Sequence, residues 1–301
     1  MERLLDEGHE LFGLVHPSTS HQMLPAHARF TPIEGDLLAA DFLEKVIKET
    51  RPQAIYHLAG QASPGLSWEK PALTMAVNTG GTGNVLVAAA KLPQPPRILV
   101  VTSAEIYGPI QPDQLPLSET TPTAPQHPYG VSKLAASQLA HLYWRRYGLP
   151  VIEARPFNHI GPRQMLGFVV PDFASQFAAI QLGQKPPVLA VGNLDAQRDF
   201  TDVRDVVSAY VAIMAQGQPG QNYLICSGQA VSIQHIFDTL AQLAGVQVTV
   251  EQDPARMRPL DTPCLYGSYA KLHQDTGWQP HIPLRQSLTD ALNDWLNRLQ
   301  T

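Results

Sequence analysis

Tyr129 and Lys133 stand four residues apart in the run Tyr129-Gly130-Val131-Ser132-Lys133. On a helix that spacing puts both side chains on one face, one turn apart. An ammonium beside a phenol favours the phenolate, lowering a pKa that is otherwise about 10, and so makes the tyrosine usable as a proton donor or acceptor. Upstream, Thr102-Ser103-Ala104-Glu105 follows the apolar run Ile98-Leu99-Val100-Val101. The apolar run reads as a buried strand, so the Ser103 hydroxyl and the Glu105 carboxylate fall where a strand leaves a sheet, the edge at which α/β proteins hold ligands. Ser103 can then grip from one side an oxygen that Tyr129 protonates from the other. A Tyr/Lys pair alone is commonplace on exposed helix faces, so the elements around it must decide its meaning.

Those elements alternate. Residues 1–8 read as the last turns of an amphipathic helix closed by Gly8, followed by a strand at 10–15. A nucleotide-binding unit places a strand and a glycine-rich turn ahead of such a helix, and this sequence is expected to lack both. A helix at 41–50, a strand at 54–60 ending in Ala59-Gly60, a helix at 71–91 and the strand at 98–101 come next. Small residues at a strand end let a ligand approach the backbone, although a plain tight turn uses them too. The run Asn78-Thr79-Gly80-Gly81-Thr82 is unusually small and polar for the middle of a helix, as if that face packs closely on something. The helix of Tyr129 extends to about Tyr147, a strand follows at 151–155, and residues 156–162 read as an irregular ligand loop. Strands separated by helices give a parallel, doubly wound α/β sheet.

Beyond residue 163 the alternation loosens. Helices are expected at 168–182, 233–244 and 283–299 and another ending at Met214, with short strands at 188–191, 223–226 and 246–251. This half reads as a smaller α+β lobe carrying Arg163, Arg198, Arg204, Arg256 and Arg258. A guanidinium suits bidentate phosphate binding, and equally a solvated surface.

Composition narrows the function classes. The chain has 301 residues, 44% of them hydrophobic, and a net charge of −5, with no basic run beyond Arg145-Arg146, which argues against nucleic acid as a partner. No apolar run reaches membrane-span length, and the first residues lack the apolar core of a signal peptide, so a cytoplasmic protein is expected. Cys226 and Cys264 are too few for a disulfide framework and read as small buried residues. No metal-ligand set is assigned.

With Ser103, Glu105, Tyr129 and Lys133 in place, the chain resembles the extended short-chain dehydrogenase/reductase family in its nucleotide-sugar branch. Asn158-His159, Gly192-Asn193-Leu194, Arg198-Asp199-Phe200, Arg258-Pro259 and Thr276-Gly277-Trp278 are similar to segments of its GDP-sugar members, which include dehydratases and reductases. The resemblance implies a Rossmann-type domain at 1–157 and 195–226 and a nucleotide-sugar lobe at 158–194 and 227–301. It implies Tyr129 as acid/base, Lys133 on the nicotinamide ribose, and Ser103 on the sugar oxygen. Asp36, Leu37, Leu58, Ala59, Gly60, Asn78, Thr102, Pro156, His159 and Ser18 would complete the cofactor site. Ser103, Asn158, Val169, Asn193, Arg198 and Arg258 would meet the GDP-sugar. The residues after Val15 are His16-Pro17-Ser18, with no acid to bind a ribose diol, which tilts the cofactor from NAD towards NADP, with Ser18 as a phosphate contact.

Resemblance also ranks the reactions. Members that eliminate water from the sugar keep a Ser or Thr and a proton-abstracting Glu in this turn, often with an Asp between them as acid. Here the middle residue is Ala104, which cannot protonate a leaving hydroxyl. GDP-mannose dehydratases resemble this chain and carry a Ser there instead of the Asp, but residues 198–205 look more like the reductases, so the expectation is reduction of a C4 keto sugar. A GDP-mannose 4,6-dehydratase or epimerase is the first alternative, and a non-catalytic nucleotide-sugar or dinucleotide sensor the second. A homodimer built from helices 71–91 and 129–147, four helices in all, is implied as well.

Overall fold

In the computed structural model, which describes residues 1–18, 24–253 and 262–300, the chain divides into two units. The first holds Met1–Thr102, His127–Glu153 and Gln218–Gln221, and the second Ser103–Gln126, Ala154–Gly217 and Asn222–Thr301.

The first unit opens with the short helix α1 (Glu2–Asp6), and Gly8 then takes a positive φ of 93° that a side chain would resist. Strand β1 (Leu11–Val15) runs parallel to β2 (Phe30–Glu34), with Leu11 opposite Phe30. After α2 (Ala40–Thr50), β3 (Ala54–His57) pairs in parallel with β4 (Arg97–Val101). Between these strands lie α3 (Pro64–Glu69), α4 (Pro71–Met75) and α5 (Gly81–Ala90). The segment expected as one helix over 71–91 runs without interruption to Ala90, with a π-helical turn at Ala76–Gly80 between α4 and α5. Helix α6 (Pro128–Tyr147) starts where His127 accepts a hydrogen bond from the Gly130 N–H and Pro128 supplies a pre-set φ. It ends at Gly148, whose φ is 64°. Strand β5 (Val151–Pro156) begins in this unit, and Ile98 N–H donates to Pro150 beside it.

The core of this unit joins Leu86 and Ala89 of α5, Ile98 and Val100 of β4, Ala140 of α6, and Val151 of β5 with Leu149. Each fully buried aliphatic side chain of the Leu/Ile/Val type contributes roughly 1.5–3 kcal/mol. That burial clamps α6 and β4 into one block.

The second unit takes up the last residues of β5, and Phe157 N–H donates to Ile225 O. Then come β6 (Asn158–Ile160), α7 (Val169–Gln181), β7 (Val188–Val191), β8 (Gln197–Arg198), β9 (Phe200–Asp202) and α8 (Val203–Gln216). They are followed by β10 (Asn222–Ile225), β11 (Val231–Ser232), α9 (Ile233–Ala244), β12 (Thr249–Gln252), β13 (Cys264–Leu265), α10 (Ala270–Thr276) and α11 (Leu284–Gln300). Strands β6 and β9 are parallel, as are β7 and β12, while β8 lies between β11 and β13. Residues 156–162, expected as irregular loop, therefore include a paired strand, because the backbone of 158–160 finds ladder partners in β9. Helices α7, α9 and α11 close on a core where the Phe173 and Phe177 rings meet Phe237 edge-on at 5.5 and 5.2 Å.

Cys226 is buried and Cys264 partly so, both are free thiols, and burial pushes both pKa values up. Among the described residues, no helix is long and apolar enough to cross a membrane.

Candidate active site

Helix α6 brings Lys133 under the end of β4. Its Nζ donates to Val101 O at 3.0 Å and lies 6.0 Å from the centroid of the Tyr129 ring. Lys133 is 7% exposed, and this burial lowers its pKa from 10.5 to about 8. Tyr129 sits in the first turn of α6, stacked on His127 with ring centroids 5.9 Å apart. The positive end of a helix and a buried ammonium both favour negative charge on a phenol placed there.

The π-helical turn positions the other side of this cluster. Asn78, 1% exposed, accepts from Gln61 N–H through Oδ1 at 2.8 Å and donates through Nδ2 to Gln61 O at 3.0 Å and Ser132 Oγ at 2.9 Å. A π-turn in a helix often marks a functional site, and here it aims an amide between the turn after β3 and helix α6. Thr79 adds a bond from its hydroxyl to Ser132 O. Gly60 fits this arrangement by size. A Cβ there would sit 2.8 Å from Asn78 Oδ1 and 3.3 Å from Lys133 Nζ.

His57, at the end of β3, completes the buried set. Thr82 donates its hydroxyl to Asn78 O at 2.6 Å, so the 3.0 Å contact between Thr82 Oγ1 and His57 Nε2 has the histidine as donor. Burial first, then the nearby Lys133 charge, lower the His57 pKa to about 4. The ring is neutral, with its proton on Nε2.

Around this cluster the expected cofactor residues divide. Leu58 is 56% exposed at the strand end, an apolar face open to a ligand, and Ala59 and Gly60 follow it. Leu37 is buried against Gly81, and its carbonyl accepts from Asn84, so its side chain is committed to the fold. Asp36 is exposed and binds Leu38 N–H, and exposed Ser18 shares a 2.7 Å hydrogen bond with His16. The Thr102 hydroxyl donates to Glu153 at 2.6 Å and the residue is 2% exposed, so its side chain is committed to the fold.

In the second unit, Ser103 caps a 3₁₀ turn, accepting from Glu105 N–H at 3.1 Å, and its own proton is then available to donate. Ala104 is buried and Glu105 half-buried. Pro156 ends β5, Asn158 and His159 lie on β6, and Val169 opens α7. Asn193 accepts from Asp195 N–H, and Arg198 donates to Thr262 O at 2.7 Å. Arg256 and Arg258 lie outside the described residues.

Sequence reasoning missed His57, Ser132, Gln61 and the buried carboxylates Glu153 and Asp199. The signal was present for Glu153, a charge inside the apolar run Val151-Ile152-Glu153-Ala154.

The sequence profile described as GDP-mannose 4,6-dehydratase matches residues 1–291. The chain belongs to the GDP-mannose 4,6-dehydratase family. Within that family its likeness is uneven. It is 39% identical over 282 residues to a GDP-6-deoxy-D-mannose reductase of Pseudomonas aeruginosa, covering 94% of this chain and 91% of that protein. It is 29% identical over 330 residues to a GDP-mannose 4,6-dehydratase of Sinorhizobium fredii, covering 99% and 93%. Among solved structures, RMD from Pseudomonas aeruginosa complexed with NADPH superposes with a TM-score of 0.84 at 38% identity, covering 92% of this chain and 93% of that one. The parallel α/β sheet expected from strand alternation, of the Rossmann type that the resemblance implied, is therefore the fold of this chain.

Proposed function

We propose that this protein is a nucleotide-sugar oxidoreductase that reduces the C4 keto group of a GDP-4-keto-6-deoxymannose-type sugar. The observation that carries the reading is the buried Lys133 ammonium, tied to Val101 O and 6.0 Å from the Tyr129 ring, in a chain whose Ser103 is followed by apolar Ala104. The greater likeness to a reductase than to a dehydratase supports it.

The residues fit a nicotinamide dinucleotide at this site. Gly60 keeps the surface over Asn78 and Lys133 free of a side chain, and Leu58 offers an exposed apolar face beside it. Lys133 and Tyr129 would hold the nicotinamide ribose, with Asp36 towards the adenine. When bound in reduced form, the nicotinamide supplies hydride to the sugar C4. Tyr129 donates its phenolic proton to the carbonyl oxygen, which becomes a hydroxyl. Lys133 stabilises the phenolate left behind, and solvent returns the proton. Ser103 donates to the same oxygen and fixes the sugar, so that catalysis is mostly positioning and electrostatics. Asn158, Val169, Asn193, Arg198 and Arg258 bind the GDP-sugar in this reading, and residues 158–194 and 227–301 form its lobe.

NADP is the proposed cofactor form. Exposed Ser18 and the lack of an acid after Val15 support this, as does the NADPH complex of the Pseudomonas aeruginosa relative. A homodimer is proposed through α4, α5 and α6, whose Leu73, Val87, Val131 and Leu142 are exposed apolar residues.

A second reading, the 4,6-dehydratase, draws on Glu105, a carboxylate retained two residues after Ser103. One experiment separates them. Mass spectrometry of products from GDP-mannose alone, and from its 4-keto-6-deoxy derivative with NADPH or NADH, should show turnover only with the keto sugar and reduced cofactor. Release of a 4-keto product from GDP-mannose alone would replace the reductase with the dehydratase.

A further inference from the structure

We propose that Glu153 is a positioning residue for the Tyr129/Lys133 pair: its buried carboxylate locks helix α6 to the exit of strand β4. The proposal deepens the reductase reading and rests on it for its kinetic arm.

Glu153 is 1% exposed in β5, within an otherwise apolar run. A buried charge is tolerated only when donors satisfy it, and three side chains do so here. Thr102 donates its hydroxyl to Oε1 at 2.6 Å. Ser137 donates to Oε2 at 2.9 Å, and His141 Nε2 lies 3.0 Å from the same oxygen, where an ionised carboxylate requires it to be the donor.

The positions of these donors give the cluster its meaning. Thr102 lies between Val101, whose carbonyl receives Lys133, and Ser103, the proposed sugar contact. Ser137 and His141 follow Lys133 by four and eight residues, on its own face of α6. One carboxylate therefore holds the strand exit and the two helical turns behind the lysine. The Lys133–Val101 bond ties the same helix to β4 directly. An apolar residue at 153 would fill the volume equally well and would leave the register of α6 on β4 to packing alone. Packing tolerates shifts that proton transfer does not, and a displacement of about 1 Å can cost on the order of 100-fold in rate.

The test uses the full chain with Glu153→Gln and Glu153→Leu. Gln keeps an acceptor for Thr102 and an amide that Ser137 and His141 can meet by rotating or changing tautomer, while Leu keeps only the volume. With GDP-4-keto-6-deoxymannose and NADPH, kcat should fall at least about 10-fold in E153L, and stay within about 3-fold of wild type in E153Q, with the sugar KM little changed in both. The alkaline limb of the kcat–pH profile should move in E153L alone. Hydrogen–deuterium exchange of the unliganded protein should rise across residues 130–141 in E153L and stay at the wild-type level across 81–90. If E153L does not fold, the double variant Ser137→Ala/His141→Ala removes the helical half of the tie and should lower kcat about 3- to 10-fold by the same argument. An unchanged kcat and pH profile per folded E153L molecule, or equal loss in E153Q and E153L, would overturn the proposal. Wild-type protein that fails to reduce the keto sugar would instead overturn the reductase reading, and the exchange measurement would still decide whether Glu153 fastens α6.

Discussion

Two of the buried carboxylates, Glu153 in the first unit and Asp199 in the second, are held in different ways. Asp199, between β8 and β9, is fully buried and accepts from the backbone N–H groups of Ser227, Gly228 and Gly267 at 2.7, 3.0 and 3.4 Å, and from the Ser227 hydroxyl at 2.7 Å. Burial holds its pKa above the ordinary carboxylate value, against the pull of those bonds. Glu153 is held by side chains, Thr102, Ser137 and His141. Backbone donors tie down the path of the chain itself, so Asp199 serves architecture. Side-chain donors set how one element sits on another, which is what a reaction geometry needs. The contrast predicts that stability and rate can be damaged separately.

The largest effect should come from the functional side. Tyr129→Phe should lower kcat for the keto sugar by about 10³-fold while the unfolding free energy, followed by urea titration, stays within about 1 kcal/mol of wild type. A parallel loss of stability would erase the separation of roles. On the architectural side, Asp199→Ala should cost about 3 kcal/mol, since several buried N–H groups lose their acceptor, while each folded molecule keeps its activity.

Acid should expose a third buried group. His57 has a folded pKa of about 4, below the ordinary 6.5, so its contribution to stability is complete above pH 6.5 and is lost as pH falls towards about 4. The slope from this group should be about 1.4 kcal/mol per pH unit within that window, and His57→Gln should flatten it. On the other limb, Lys133 loses its proton at about 8. kcat/KM should accordingly decline above that pH, where the ammonium that stabilises the Tyr129 phenolate disappears.

The smallest effect on the isolated fold belongs to the exposed face of α6. Leu142→Glu should change unfolding free energy by less than about 0.5 kcal/mol. Light scattering should nevertheless report dimers for the wild type and monomers for the variant. A variant that stays dimeric would remove α6 from the interface.

Much of this was legible in the sequence because periodicity reports burial. Helices α2, α6 and α9 and strand β4 fall at or within a residue or two of where their patterns put them. Strand β2 was not foreseen; Pro32 lacks an N–H, and among the described residues β2 pairs with β1 alone, where such a residue is tolerated. The small polar run at 78–82 announced close packing without revealing a π-turn, which is a matter of hydrogen-bond register rather than composition. Tyr129 and Lys133 were visible because their spacing is helical. The roles of Glu153, whose charge in an apolar run was the one signal, and of His57 were not, because their partners lie 12 to 51 residues away in the chain. Only folding brings those partners together.

Gly60 sets a boundary on how this site can change. With the nearest atoms of Asn78 and Lys133 at 2.8 and 3.3 Å from where a Cβ would stand, even alanine has no room unless one of those two side chains moves. A lineage under pressure from a competitive inhibitor could remodel many exposed positions, but not this one without displacing Asn78 or Lys133. Inhibitor bulk placed against Gly60 would therefore rest on a surface that resistance cannot readily reshape.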